Sequence, residues 1–187
     1  MPRSGLPFII LILLLAGCGG GAFVAAPLEQ ASFIERAIVE TQDPVTVAAA
    51  VPDAAETRAL TGLDLYQQDI QPVWLSVTNA GDRPVRAAIR SIDEQYLSPM
   101  EVAWKFRNRV SKQGRADMER WFYENQLPRR IPVGETRSGF VFTHVSKGTK
   151  GFNFDVYSSE KSYNFTFFVP IPGFSADYMD VDFANLY

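Results

Sequence analysis

Val73-Trp74-Leu75-Ser76-Val77-Thr78, followed by Asn79-Ala80-Gly81-Asp82-Arg83-Pro84, is the stretch on which the fold turns. Val73, Leu75 and Val77 point one way and Trp74, Ser76 and Thr78 the other, the period-two alternation of a strand. The Asn/Gly/Asp/Pro cluster behind it is turn chemistry. A return strand over Val85 to Ile92 would complete a hairpin. Upstream, Pro44 to Val51 is rich in β-branched residues and is expected as a first strand, preceded by a mixed polar and apolar lead-in from Ser32 to Thr41. Pro52 stops that strand. Asp53 with Glu56 three residues on is a capping box, so a short helix is expected over Ala54 to Leu60, closed near Gly62.

Downstream, Ser98-Pro99-Met100-Glu101 is a second capping box with proline at the favoured first helical position, opening a helix through about Phe106. Met118, Trp121 and Phe122 recur at helical spacing in a second helix from about Arg115 to Gln126. The two form one insert at about 98–126, around an expected aromatic seam of Met100, Trp104, Phe106, Trp121 and Phe122. Leu127 to Gly134, with Pro128 and Pro132, leads back to strands. Arg137 to His144 makes one strand. Phe152, Phe154 and Val156 stripe a second, and Tyr163, Phe165, Phe167 and Val169 a third, which Pro170-Ile171-Pro172-Gly173 ends. Short alternating strands separated by turns predict a mainly β (α+β) chain, an immunoglobulin-like β-sandwich with a two-helix insertion, preceded by a signal peptide and a flexible tether.

The signal peptide is expected because Arg3 is the only charge in the first seventeen residues and an apolar run, Phe8 to Leu15, follows it. That run is shorter than the roughly 20 apolar residues of a membrane span. It leads into Leu15-Ala16-Gly17-Cys18, which resembles the lipobox of bacterial lipoproteins, where the cysteine is acylated and becomes the new N-terminus. Cys18 is the only cysteine, so no disulfide is available to the exported chain. The expected organisation is 1–17 signal peptide, 18–30 acylated cysteine and tether with little to pack, and 31–187 one domain. Two or more acyl chains hold a protein durably where one holds it reversibly. Gly19, in place of aspartate, resembles lipoproteins forwarded to an outer membrane facing the periplasm, in an organism that has one.

Few residues offer chemistry. His144 is the only histidine, in phase with Phe140 and Phe142, and is expected at the end of a core face. No Gly-x-Ser-x-Gly elbow accompanies it for a serine triad. Ser146 to Gly151 lacks the order of a phosphate loop and stands between strands, so a hairpin turn is expected. Asp177, Asp180 and Asp182 lack the glycine-punctuated loop of a calcium site and are expected to be solvated. No cofactor and no metal is implied.

Charge is more informative. The formal net charge of −3 becomes −4 once Arg3 leaves with the signal, too mild to predict a nucleic-acid partner. Between Ser98 and Arg130, however, eight basic residues face four acidic ones, a surplus of four. The rest of the mature chain then carries −8. Lys105, Arg107, Arg109, Lys112 and Arg115 are the candidate contact residues for anionic headgroups or an acidic envelope partner, with a solvated face as the plainer alternative.

The runs Gln71 to Asn79, Tyr96 to Val102, Ile131 to Thr143, Thr149 to Asn153 and Phe167 to Gly173 resemble a family of uncharacterised bacterial lipoproteins, some joined to or encoded beside membrane proteins of the LssY C-terminal type. The resemblance implies an exported accessory module and brings no catalytic residues. The expected function is a lipid-anchored, non-enzymatic binding or accessory module of the cell envelope. The alternative is an envelope hydrolase with a carboxylate-based or His144-based site.

Overall fold

A computed structural model describes residues 21–172. Its elements, in chain order, are β1 (Ile38–Gln42), β2 (Val45–Ala50), α1 (Ala54–Thr61), β3 (Gln71–Asn79), β4 (Val85–Ala88), α2 (Pro99–Phe106), α3 (Lys112–Glu124), β5 (Arg130–Ile131), β6 (Thr136–Thr143), β7 (Thr149–Tyr157) and β8 (Ser162–Pro170). The strands make two antiparallel four-stranded sheets, ordered β1-β2-β3-β6 and β5-β4-β7-β8. The protein is α+β with a sandwich-like architecture, as its alternating strands predict.

Val73, Leu75 and Val77 of β3 face the core between the sheets, with Phe154 and Val156 of β7 and Phe165 and Phe167 of β8. Each fully buried phenylalanine there contributes about 1.5–3 kcal/mol. The other face of β3 is not solvated as a half-buried strand's would be. Trp74 is only 6% exposed and joins Phe140 and Phe142 of β6, Phe106 of α2 and Phe122 of α3 in a second core. The molecule therefore has three layers: helices, a first sheet whose back they cover around Trp74, Phe140 and Phe142 while the end at Thr78 and Thr136 stays open, and a second sheet with one face in water. In β7 and β8 the alternation is clean, buried residues taking turns with exposed ones along both strands.

The expected hairpin from β3 to β4 does not form. β4 belongs to the second sheet and pairs with β5 and β7, so residues 79–84 cross from one sheet to the other. Asn79 directs that crossing. Its buried side-chain amide donates to the carbonyls of Arg83 at 2.8 Å, Pro132 at 3.2 Å and Ile131 at 3.3 Å, and its Oδ1 accepts from Gly81 N at 3.1 Å. The turn is thereby tied to the chain at β5 rather than folded back on β3. The strand expected through Ile92 ends at Ala88, and Ile89–Ser91 forms a single 3₁₀ turn. The link from β6 to β7, residues 144–148, also crosses between sheets and is not a hairpin turn. The true hairpin joins β7 to β8, with nine paired positions from Thr149↔Pro170 to Tyr157↔Ser162. β1 overlaps the end of the expected lead-in and runs one residue past it; its half-exposed edge position leaves little apolar stripe to read.

Both capping boxes are present. Asp53 and Glu56 cap α1, which Gly62 ends in a left-handed conformation at φ 69°, and Ser98 and Glu101 cap α2.

Candidate functional site

The candidate contact residues gather where α2 passes into α3. Ser111 is the N-cap of α3: its Oγ accepts from Gly114 N at 3.1 Å. The same residue holds the incoming chain, since its N–H donates to Gly21 O at 2.9 Å. Gly114 leaves room for that chain, because a Cβ there would stand 3.0 Å from Phe23 N and 3.3 Å from Gly21 O. Phe23 then lays its ring against Trp121 and Phe122, with centroids 6.2 and 6.5 Å apart. Ala26 N donates to Leu60 O at 2.8 Å, and Leu28 packs against the second core. Of the stretch 18–30 expected as a tether, residues 21–28 thus lie along the helical layer. Cys18 lies outside the described residues.

Lys105, Arg109, Lys112 and Arg115 are exposed and Arg107 is half-buried. The Arg107 guanidinium stacks 3.6 Å from the ring centroid of Trp104, and its Nη1 donates to Trp104 O at 2.8 Å. Arg109 stands 5.7 Å from the ring centroid of Phe106. Among the described residues, none of the five pairs with a carboxylate. The first turn of α3 carries no acid, although the positive end of a helix dipole favours one. The structure separates Arg129 and Arg130 from this group. Arg130 lies in β5 opposite Arg86, and Arg129 Nη2 donates to Tyr96 OH at 3.3 Å.

The aromatic seam needs correction at two positions. Phe106, Trp121 and Phe122 belong to it, joined by Met118 and by Phe23. Met100 and Trp104 do not: Trp104 is 62% exposed. α2 buries Val102, Ala103 and Phe106, which leaves positions 100 and 104, one turn apart, on its outer flank. Between the docked segment and the α2–α3 turn opens a cleft of about 310 Å³, with Ala22, Val24, Arg58 and Arg109 on its walls.

His144 is not packed at a core face. It lies one residue past β6 with its side chain 43% exposed, its Nδ1 3.6 Å from Asp93 Oδ2. Among the described residues no serine hydroxyl hydrogen-bonds the imidazole. The same Asp93 oxygen accepts His144 N at 3.2 Å. Burial pushes the Asp93 carboxyl up, but the N–H groups of Gln95 and His144 together hold it below the usual carboxylate range. Lys150, buried beneath this loop, donates to His144 O at 2.9 Å and to Ser146 Oγ at 3.2 Å. Its burial lowers the ammonium pKa, against the opposing pull of Asp93 and Asp69. Fully buried Gln71 accepts from Ser146 N at 3.2 Å and donates to Ser146 O at 3.3 Å. It also donates to Tyr66 OH at 3.3 Å. Burial pushes the Tyr66 hydroxyl up to about 12. Asp93, Gln71 and Lys150 pin the 144–148 crossover through its backbone and Ser146, so the serine–lysine contact is part of a loop lock, while the His144 imidazole stays half-exposed beside Asp93.

Glu56 and Asp64, the acids on the walls of the two clefts beside residues 22–33, are engaged by Arg36 and Arg58. Among the described residues no three of His, Cys, Asp and Glu come together to hold a metal. Asp177, Asp180 and Asp182 lie outside them. Sequence reasoning did not single out Phe23, Ser111 or Gly114. Ser111, a good N-cap residue just ahead of the periodic run, was the legible signal of the three.

Fold and surface together define a two-sheet α+β domain with a helical layer that receives the N-terminal segment beside a cationic, tryptophan-bearing turn. None of the protein-family models, curated proteins or solved structures compared with the chain matches it. No helix among the described residues is long and apolar enough to cross a membrane.

Proposed function

We propose that the protein is an exported, lipid-anchored bacterial lipoprotein that serves as a non-enzymatic binding or accessory module of the cell envelope, held at the outer membrane facing the periplasm where the organism has one. The observation that carries the reading is the Leu15-Ala16-Gly17-Cys18 lipobox three residues ahead of a segment docked on the domain. An accessory role is favoured over hydrolysis because Asp93 and Lys150 are spent on holding the backbone at His144, and among the described residues no serine hydroxyl hydrogen-bonds the exposed imidazole.

We also read the sandwich as immunoglobulin-like. Lettering β2 to β8 as A, B, C, C′, E, F and G gives an A-B-E sheet facing C′-C-F-G, with β1 added beyond A. Every neighbouring pair is antiparallel, as that topology requires. The two-helix insert then falls between C and C′.

Cys18→Ala should leave the domain folded and release it from the membrane. Fractionation with a high-salt wash, beside far-UV circular dichroism of the released protein, checks this. A variant that stays in the washed pellet overturns the anchor.

A further inference from the structure

We infer that the α2–α3 turn is a membrane-contact surface, where Trp104, Arg107, Arg109 and Lys112 lie against the anionic headgroups of the leaflet that holds the acyl chains. The inference rests on the anchor proposed above and adds an orientation to it. Two residues separate Cys18 from Gly21, and the three Cα-to-Cα steps between them reach at most about 10 Å. Gly21 is not free to move that reach outward, because its carbonyl is bonded to Ser111 and it bridges to Val110. An acylated Cys18 therefore brings the α2–α3 turn itself to the lipid, within roughly one Debye length of the headgroup charge at physiological ionic strength.

What the turn presents fits that surface. Arg107, Arg109 and Lys112 have no carboxylate partner among the described residues, and each cation close to an anionic leaflet strengthens attachment roughly fivefold. Trp104 is the one exposed ring among the three tryptophans; Trp74 is buried and Trp121 half-buried. An indole with a guanidinium stacked on it is apolar on its body and polar at its rim, the character that places tryptophan at membrane interfaces. The cations at the start of α3 oppose the helix dipole in water and are offset by phosphate when lipid is near. The cleft beside Ala22 and Val24, with Arg109 on its wall and Arg58 already paired with Asp64, opens at the same place. An acidic protein would need no such coincidence with the point where the chain leaves for its anchor.

The test uses the full acylated protein reconstituted into vesicles carrying brominated acyl chains, made of phosphatidylcholine alone or mixed with phosphatidylglycerol. Flotation reads the anchor and tryptophan quenching reads the face. Trp104 emission should be quenched in the anionic vesicles and spared in the neutral ones. That quenching should be lost in Trp104→Phe, and lost too in the triple variant Arg107→Glu, Arg109→Glu, Lys112→Glu, whose circular dichroism should match the wild type. Gly114→Val, which crowds Phe23 off α3, should also reduce it. Protein that floats with wild-type quenching in Trp104→Phe, or with no difference between the two lipids, overturns the face. Protein that fails to float overturns the anchor, and the orientation with it.

Discussion

At Gly139, in the middle of β6, the chain passes so close to the segment leaving α3 that a Cβ would stand 2.4 Å from Gln126 C and 2.6 Å from Leu127 N. Two backbone hydrogen bonds enforce the approach, Phe140 N to Asn125 O at 2.8 Å and Leu127 N to Phe140 O at 3.0 Å. The obstacle is main chain on both sides, so no rotamer change relieves it. Gly139→Ala should lower stability by about 3 kcal/mol, the upper end of ordinary overpacking, read as a fall in the denaturation midpoint. An unchanged midpoint would mean that residues 125–127 yield freely. The signal was in the sequence, since a glycine inside a strand marks a close approach of backbone; which segment approaches was not, because Gln126 and Gly139 meet only through the tertiary fold. The capping boxes at Asp53 and Ser98 were legible for the opposite reason. All their partners lie within three residues.

Elements were legible as far as their own periodicity carries and no further. The alternation in residues 73–78 predicts β3, but the same residues cannot say whether the next strand pairs with it, and a buried Asn79 sends that strand to the other sheet. Helical spacing likewise predicts α2 and α3 without saying which stripe of α2 faces in. Met100, Trp104 and Phe106 are all apolar, and the choice falls to Val102, Ala103 and Phe106, the stripe that meets α3 and the first sheet. Among the candidate contact residues, sequence reasoning found the cations from their charge surplus. It missed the seat of the N-terminal segment, which depends on the absence of a side chain at Gly114. A pair of substitutions separates the two flanks. Phe122→Ala should cost about 3–5 kcal/mol, the range for a buried ring that leaves a cavity. Trp104→Ala should cost less than about 1 kcal/mol, because what it loses is one exposed cation–π contact. Chemical denaturation of both variants checks the order, and equal costs would return Trp104 to the seam.

At the scale of the whole molecule, the first sheet is the shared wall of two cores. Its front, through Val73, Leu75 and Val77, closes on the second sheet; its back, through Trp74, Phe140 and Phe142, closes on the helices. Lifting the helical layer would bare those three rings along with Phe33, Phe106 and Phe122. At about 1.5–3 kcal/mol each that amounts to on the order of 10 kcal/mol, comparable with the 5–15 kcal/mol that holds a typical domain folded. The layer therefore has no stability of its own to lose first. Residues 21–172 should unfold in one cooperative step, and the tryptophans make this measurable. Trp74 and Trp121 report the helical core, while far-UV circular dichroism is weighted by both sheets and helices, so the two signals should trace a single transition with the same midpoint and slope in urea. Tryptophan emission that shifts red before the dichroism changes would show instead that α2 and α3 detach as a separate unit, with the sandwich standing without them.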